Sequence, residues 1–414
     1  MKGTRRTWIK RFLVSDVFIL GVLALAVPLA YTATEAPAGF DNLTNGFTTQ
    51  TQFDLDRGIF DEFELIEDGL GPVYNAQACR ECHQNPVSGA TSQVTELRAG
   101  HLNAFGNFVD PPGGSLINDR AIDARIQERL TTADDIVVDR SSRNTLGDGF
   151  VEAIADSTFT AIRNSQPAGM QGQIINVPIL ESPGFTRVGR FGWKGQHGSL
   201  LSFSADAYLN EMGITSPLQP NENTSMGNSV AAFDDVPDPE EAPTPENPFG
   251  PDVEFFARFM RATKAPPRDT ALAATPDAVA GANLFNAIGC NICHRTSITT
   301  APVGTVFNGT GAGKFTVTAA LGDKIIHPYS DFLLHNVGTG DGIVQNGGQS
   351  TRNKLTTPPL WGLRTRSRFM HDLFNVTRTN AILRHTNEAE PVIQNYIILS
   401  TAQKNQIGTF LNSL

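Results

Sequence analysis

Cys79-Arg80-Glu81-Cys82-His83 and Cys290-Asn291-Ile292-Cys293-His294 share the spacing C-x-x-C-H, and together they use all four cysteines of the 414-residue chain. This spacing is the attachment signal for c-type haem: two thiols can add to the vinyl groups while the adjacent histidine rises to the iron as proximal ligand. The reading makes Cys79, Cys82, Cys290 and Cys293 cofactor-binding residues. It makes His83 and His294 the iron ligands of two covalently bound c-type haems. Other chemistries use part of the pattern. A structural zinc site built from two CxxC pairs usually keeps them close in the chain, whereas here one pair ends at Cys82 and the other begins at Cys290, each followed by His. A thiol–disulfide CxxC would sit near a βαβ pattern and needs no following histidine, and disulfides are an option in an exported protein. The doubled five-residue match favours haem.

Such groups need a chain long enough to enclose them, and the length allows two domains with a real core. The apolar fraction, 40%, is ordinary, and the net charge is −10 with no long basic stretch after the first residues. Nucleic acid is therefore not an expected partner, because phosphate binding needs clustered Lys and Arg. An acidic surface is compatible with a cationic redox partner, and equally with simple solubility. At the N-terminus, Lys2, Arg5, Arg6, Lys10 and Arg11 precede an apolar run over residues 17–30, followed by Ala30, Ala33 and Ala36. This reads as a signal peptide over residues 1–33, short for a membrane span, with an uncleaved N-terminal anchor as the alternative. Thr4-Arg5-Arg6-Thr7 has a twin-arginine look, which is set aside because c-type haem is attached after export and that route favours prefolded cargo. The expected location is the periplasm, with membrane attachment only if the segment stays uncleaved.

Residues 34–45 read as a flexible lead-in and residues 53–70 as a helix broken by Gly69-Leu70-Gly71-Pro72. Residues 122–130 and 150–163 have helical spacing. Residues 234–251, with Asp234-Asp235-Val236-Pro237-Asp238-Pro239-Glu240-Glu241, are too proline-rich and charged for helix or sheet, and form a linker or surface loop. Thr275-Pro276-Asp277 is a helix start and Gly289 a helix stop, so a helix over residues 278–288 runs into Cys290. The Gly-rich residues 303–313 and 337–348 read as loops. Strand signals are few. The expected fold is mainly α: two cytochrome c-like haem domains with long loops, over residues 37–233 (with insertions) and 252–414.

Further motifs carry a resemblance. They are Gly189-Arg190-Phe191-Gly192-Trp193-Lys194, Asn210-Glu211-Met212-Gly213-Ile214-Thr215-Ser216-Pro217, His327-Pro328-Tyr329-Ser330-Asp331-Phe332-Leu333-Leu334-His335, Thr357-Pro358-Pro359-Leu360-Trp361-Gly362-Leu363 and Arg368-Phe369-Met370-His371-Asp372. In order and spacing the chain resembles the di-haem oxidoreductases, also described as thiol-oxidoreductase-like, which are related to the bacterial di-haem cytochrome c peroxidases. The resemblance spans residues 50–400. It implies two unequal haems: an electron-entry haem with His/Met ligation, which raises the potential, and an N-terminal haem that reacts with peroxide. By resemblance Met370 is the sixth ligand of the second haem, with a core-filling thioether as the alternative. His101 is the candidate sixth ligand of the first haem, with a surface loop histidine as the alternative. Trp193 resembles the tryptophan between the haems, and Glu211 the distal-pocket acid that moves the peroxide proton. A buried aromatic and a solvated helix charge are the respective alternatives. Phe203 stands where the peroxidases carry Gln, and a phenyl ring cannot hydrogen-bond a peroxide. By resemblance His335-Asn336-Val337-Gly338 is expected to pack beneath the haem or hold a propionate, and His327, His371 and His385, in family motifs too, are expected as satisfied core histidines. His197 has no assignment. Asn144 and the carbonyls near Thr356 and Pro358 resemble a calcium site, hard oxygen donors being suited to that ion.

Three functions compete. One is a periplasmic peroxidase that takes electrons from a small donor protein, a cytochrome c or a cupredoxin, and passes them to peroxide or another small oxidant. The second is a di-haem electron-transfer cytochrome without peroxidase activity. The third is a high-valent haem oxidase acting on a partner protein.

Overall fold

Thr49 accepts a hydrogen bond from Gln52 N and so caps the helix Gln50–Asp61, which buries Phe53, Asp56 and Phe60 along one stripe. That stripe meets the helix Pro251–Ala262, whose Phe256 and Phe259 lie 6.2 and 4.7 Å from the Phe60 ring. Arg258 clamps Asp56 through two bonds of 2.7 and 2.6 Å. The helix Leu200–Ala207 packs on the same core, with Tyr208 stacked edge-on to Phe256 at 5.0 Å. In the C-terminal part, Thr275 caps the helix Pro276–Ile288, and Gly289 ends it in a left-handed conformation (φ 103°). This helix packs against Thr401–Asn412 so closely that a side chain at Gly281 would strike the Gln406 carbonyl.

This computed structural model describes Met1, Gly3 and residues 32–414. The charged and apolar parts of the expected leader thus lie outside the described residues. No helix among the described residues is long and apolar enough to cross a membrane. Residues Ala33–Leu414 pack as one unit.

The expectation of a mainly α fold is corrected. The chain is about 30% helical and 15% strand, with fifteen short strands in six small sheets among the described residues. The largest sheet centres on Thr95–Leu102, paired antiparallel with Ile136–Ser141 from Thr95↔Ser141 to Gly100↔Ile136, and also with Leu116–Ile117 and Phe108–Val109. Ile136, Val137 and Val138 are β-branched, and the strand begins by alternating half-buried with exposed positions, a period-2 signal.

Local expectations also shift. The lead-in is strapped down: Thr34–Glu35 pairs with Lys324 and Ile325, and Asn45 Nδ2 donates to Arg261 O and Thr263 O. Residues 122–130 form turns rather than a helix, because the buried Glu128 carboxylate accepts from Asn118 N and Met226 N instead of facing water. The helix expected over 150–163 is two, Asp148–Glu152 and Asp156–Ser165. Arg187 takes the carbonyls of Glu152 and Ile154, and Arg190 also takes that of Ile154, so those oxygens are lost to the helical ladder. The acidic segment is not wholly solvated either: Glu241 is buried and accepts from Asp252 N and Val253 N, capping the helix that follows.

Candidate functional site: two histidine–thiol centres

Both pentads use the same local device. Cys79–Cys82 is a single helical turn, His83 N bonds Cys79 O at 3.0 Å, and His83 Nδ1 lies 3.2 Å from Ala90 O. Cys290–Ile292 is likewise a tight turn, His294 N bonds Cys290 O at 3.0 Å, and His294 Nδ1 lies 2.9 Å from Tyr329 O. A carbonyl can only accept, so each Nδ1 carries the proton and each Nε2 keeps its lone pair. Burial pushes both imidazoles down to about 4, so both are neutral near neutrality. The four thiols are free and half-buried. Burial raises Cys82 and Cys290 to about 12, so they are thiols, not thiolates.

The first pentad opens into a cavity of about 530 Å³ lined by Cys79, Cys82, His83, Trp193, Phe203 and Glu211. Glu211 sits on a π-helical turn, Tyr208–Met212, of the kind often found at functional sites. Its backbone carbonyl accepts from Asn75 N and Ala76 N, and Asn75 Nδ2 donates to its Oε2 at 2.9 Å, tying Glu211 to the segment that leads into Cys79. Gly213 ends the turn at φ 73°, where a side chain would strike the carbonyls of Val73 and Gly71.

The charged wall was not singled out in the sequence. The central strand delivers Glu96 and Arg98 and its partner strand delivers Arg140, all lining the cavity. Arg98 Nε donates to Glu96 Oε1 at 2.5 Å, and Arg140 Nη1 lies 3.9 Å from the same oxygen. Glu96 and Glu211 line the same cavity. Burial and the charge of Glu96 raise Glu211, whereas Arg98 and Arg140 hold Glu96 low against burial, so of the two carboxyls Glu211 is the one that keeps a proton. The only sequence signal was the alternating pattern around Glu96 and Arg98, which places both side chains on one face of a strand.

Trp193 is buried, donates Nε1–H to Ser141 O at 2.8 Å, lies under the Arg143 guanidinium at 5.5 Å and meets the His371 ring edge-on at 6.0 Å. It thus lies between the cavity and the Met370–His371 turn. Phe203 lines the cavity and stacks on Phe191 at 6.0 Å, giving that wall an apolar face. His197 pairs with Asp206, another cavity residue, at 3.0 Å. His101 is not among the lining residues; it lies opposite Val109 beyond Arg98 on the strand. Arg143 Nη1 donates to Gly192 O at 2.7 Å and Thr356 Oγ1 at 2.8 Å, so a guanidinium meets oxygens where the calcium resemblance pointed.

The second pentad is set in an apolar cluster of Phe285, Ile288, Tyr329, Val392 and Phe410, against which Cys290, Ile292, Leu360 and Ile382 pack. His335 stands 3.8 Å from Cys293 Sγ. Its Nε2 meets Asp331 at 2.9 Å and its Nδ1 meets Glu388 at 2.8 Å. Burial opposes its charge, yet the two carboxylates hold it well above the ordinary histidine range, as an imidazolium. His327 bridges Thr296 O and Glu35.

Two neutral histidines, each fixed by a carbonyl and each beside two thiols, define a protein with two haem-type centres. The sequence matches the profile of the family described as "di-haem oxidoreductase, putative peroxidase" over residues 117–414. The chain belongs to that family, and the family implies an oxidoreductase with two haems. No curated protein matches. Among solved structures, the chain is similar to hydrazine synthase of Kuenenia stuttgartiensis, at 12% identity, coverage of 100% of both chains and a TM-score of 0.39. It is also similar to a MauG-like protein associated with microbial copper homeostasis, at 14% identity, coverage of 94% and 95% and a TM-score of 0.42. A third is the diheme peroxidase BthA of Burkholderia thailandensis E264, at 13% identity, coverage of 92% and 94% and a TM-score of 0.42. These likenesses are too weak to carry an argument, and the family match carries the assignment.

Proposed function

We propose that the chain is a periplasmic c-type di-haem peroxidase. One haem is bound through Cys79, Cys82 and His83, the other through Cys290, Cys293 and His294, with electrons arriving from a small cytochrome c or cupredoxin. The observation that carries this reading is the contrast between the centres: the first faces a cavity lined by Glu211, Glu96, Arg98 and Arg140, and the second is set in an apolar cluster. The residues fit the group. Neutral Nε2 lone pairs and free paired thiols are the donor set that covalent haem attachment needs. Arg143 in the cavity and the half-buried Arg366, which donates to the neighbouring Ser142 O, are cations that suit the haem's own carboxylates.

Bound haem supplies the redox chemistry at iron. The protein supplies the proton. Glu211 holds it on the cavity wall, Asn75 fixes the carboxyl, and Arg98, paired with Glu96, steadies the negative charge left when the proton moves to an oxygen of the substrate. Phe203 and Phe191 exclude water from one side of the cavity. Trp193 offers a path for an electron toward the Met370–His371 turn. Export before haem attachment accounts for the periplasmic location, with membrane attachment only through an uncleaved leader.

The test is stopped-flow mixing of the fully and half-reduced protein with hydrogen peroxide. Rapid haem oxidation is expected. A protein with two c-type haems that peroxide leaves reduced would refute peroxidase action and leave electron transfer.

A further inference from the structure

We propose that His385, not Met370, is the sixth ligand of the iron at the second pentad; this rests on the c-type reading above. Of the eight histidines, only three combine an Nδ1 anchored on a backbone carbonyl with an Nε2 that has no partner among the described residues. Two are the pentad histidines. The third is His385, whose Nδ1 lies 2.9 Å from Ala381 O and 3.2 Å from Ile382 O. Like His83 and His294, it is neither exposed nor fully covered. The others differ: His327 and His335 use both nitrogens, His197 turns Nε2 to Asp206, His371 has an unpartnered Nδ1, and His101 lies on the strand edge. An axial imidazole needs this arrangement, one nitrogen fixed to set tautomer and ring plane and the other left for the metal.

Both flanks of His385 are fixed against the second centre. On the N-terminal side, Thr377 caps the helix Arg378–Leu383, and Ile382 packs on the cluster that includes Cys290 and Ile292. His385 follows three residues on, within the reach of one helical turn. On the C-terminal side, Thr386 N bonds Val337 O at 2.9 Å, Glu388 N bonds Asn336 O at 3.1 Å, and Asn387 Nδ2 bonds Asn336 Oδ1 at 3.0 Å. The Glu388 carboxylate then joins Asn336 N to His335, beside Cys293. Gly338 is required here, since a side chain would overlap Thr386 Oγ1. The His335-Asn336-Val337-Gly338 motif thus clamps the residues after His385 to the pentad.

Met370 is placed otherwise. It sits at φ 72° in a turn closed by Phe369 N to Asn375 O at 2.8 Å, and its neighbour His371 faces Trp193. It is not among the side chains packed on the cluster around Cys290. A second imidazole in place of a thioether removes the rise in potential that Met ligation brings.

The oxidised full-length holoprotein decides the assignment by near-infrared magnetic circular dichroism and EPR. The expected result is no sulfur-to-iron charge-transfer band, and a low-spin signal that Met370→Ala leaves unchanged. His385→Ala should turn that haem high-spin, with added imidazole restoring the low-spin signal. His385→Met, nearer in size should the alanine variant misfold, should bring the sulfur band in. A sulfur band in the unaltered protein that disappears in Met370→Ala, or a low-spin signal indifferent to both His385 variants, would overturn the assignment. An alkaline pyridine spectrum without two c-type haems would overturn the proposed function together with it. Two such haems with a Met370-dependent band would overturn this assignment alone.

Discussion

Asp341→Asn tests the frame that holds Trp193 against the cavity. Asp341 is fully buried between two cations, Arg140 Nη2 at 2.6 Å and Lys194 Nζ at 2.7 Å, whose side chains are also buried. Lys194 Nζ further donates to the carbonyls of Thr351, Arg352 and Lys354, which ties the loop bearing Trp193 to the 351–354 segment. Burial pushes Lys194 down to about 8 even with Asp341 pulling it up. Because its folded pKa lies below the ordinary 10.5, the unfolded chain binds more protons between those values, and stability rises with pH across that window. The difference amounts to about 3 kcal/mol at ~1.4 kcal/mol per pH unit. In Asp341→Asn the carboxylate's pull is gone, so the window extends downward through neutrality, and Arg140 keeps only Gln345 and the more distant Glu96 carboxylate at 3.9 Å. The expected loss is about 3–5 kcal/mol at neutral pH. The deficit relative to the unaltered protein should shrink as pH rises toward about 10, where Lys194 is neutral in both. Urea unfolding of the holoprotein followed by far-UV circular dichroism across this range measures it. A deficit that does not vary with pH would refute the charge argument, and Asp341→Asn paired with Lys194→Met should recover part of the loss.

Glu96→Gln removes the negative charge that helps keep the proton on Glu211, so Glu211 should ionise at lower pH. The alkaline limb of peroxide-driven haem oxidation should then move to lower pH, and stopped-flow rates against pH that kept the limb in place would separate the two carboxyls. Glu152 is fully buried and accepts from Arg261 at 2.6 and 2.9 Å and from Leu200 N at 2.8 Å, with burial opposing its charge and Arg261 holding its pKa down. Glu152→Gln strands Arg261 and should cost about 3–5 kcal/mol in chemical denaturation; a loss below ~1 kcal/mol would mean the guanidinium finds water instead.

The strongest local signals were fully legible. Thr275, Pro276 and Gly289 bound a helix because their propensities act within one turn, and that helix runs into Cys290 as expected. Trp193, Glu211 and Phe203 do gather with the first pentad, and motif order alone brought them out. What escaped is non-local. The helical spacing of 122–130 lost to side-chain bonds from Glu128, and the run 150–163 was cut by arginines that lie more than a turn away in sequence. Strand pairing in the largest sheet joins Thr95 to Ser141, a separation that residue patterns do not report. For the same reason Glu96, Arg98 and Arg140 were invisible as a cavity wall. His385 read as a core histidine because its anchor, Ala381 O, lies on the helix just before it and its clamp, 336–338, lies far off in the chain.

The pentads are equal in sequence, and what differs is the matter laid against each. At the first, a strand pair brings three charged side chains, Glu96, Arg98 and Arg140, to the same cavity as Glu211. An acid whose pKa is raised beside a cavity is a functional-site signature. At the second, apolar side chains close around the turn, and His335 beside Cys293 is held between Asp331 and Glu388. A centre that only passes electrons needs small reorganisation and no access for a substrate, and an imidazole from His385 would supply both conditions. The His335–Glu388 clamp then serves reaction specificity from a distance: by keeping His385 in place it would deny peroxide the second iron, and so leave the chemistry to the cavity where Glu211 holds the proton.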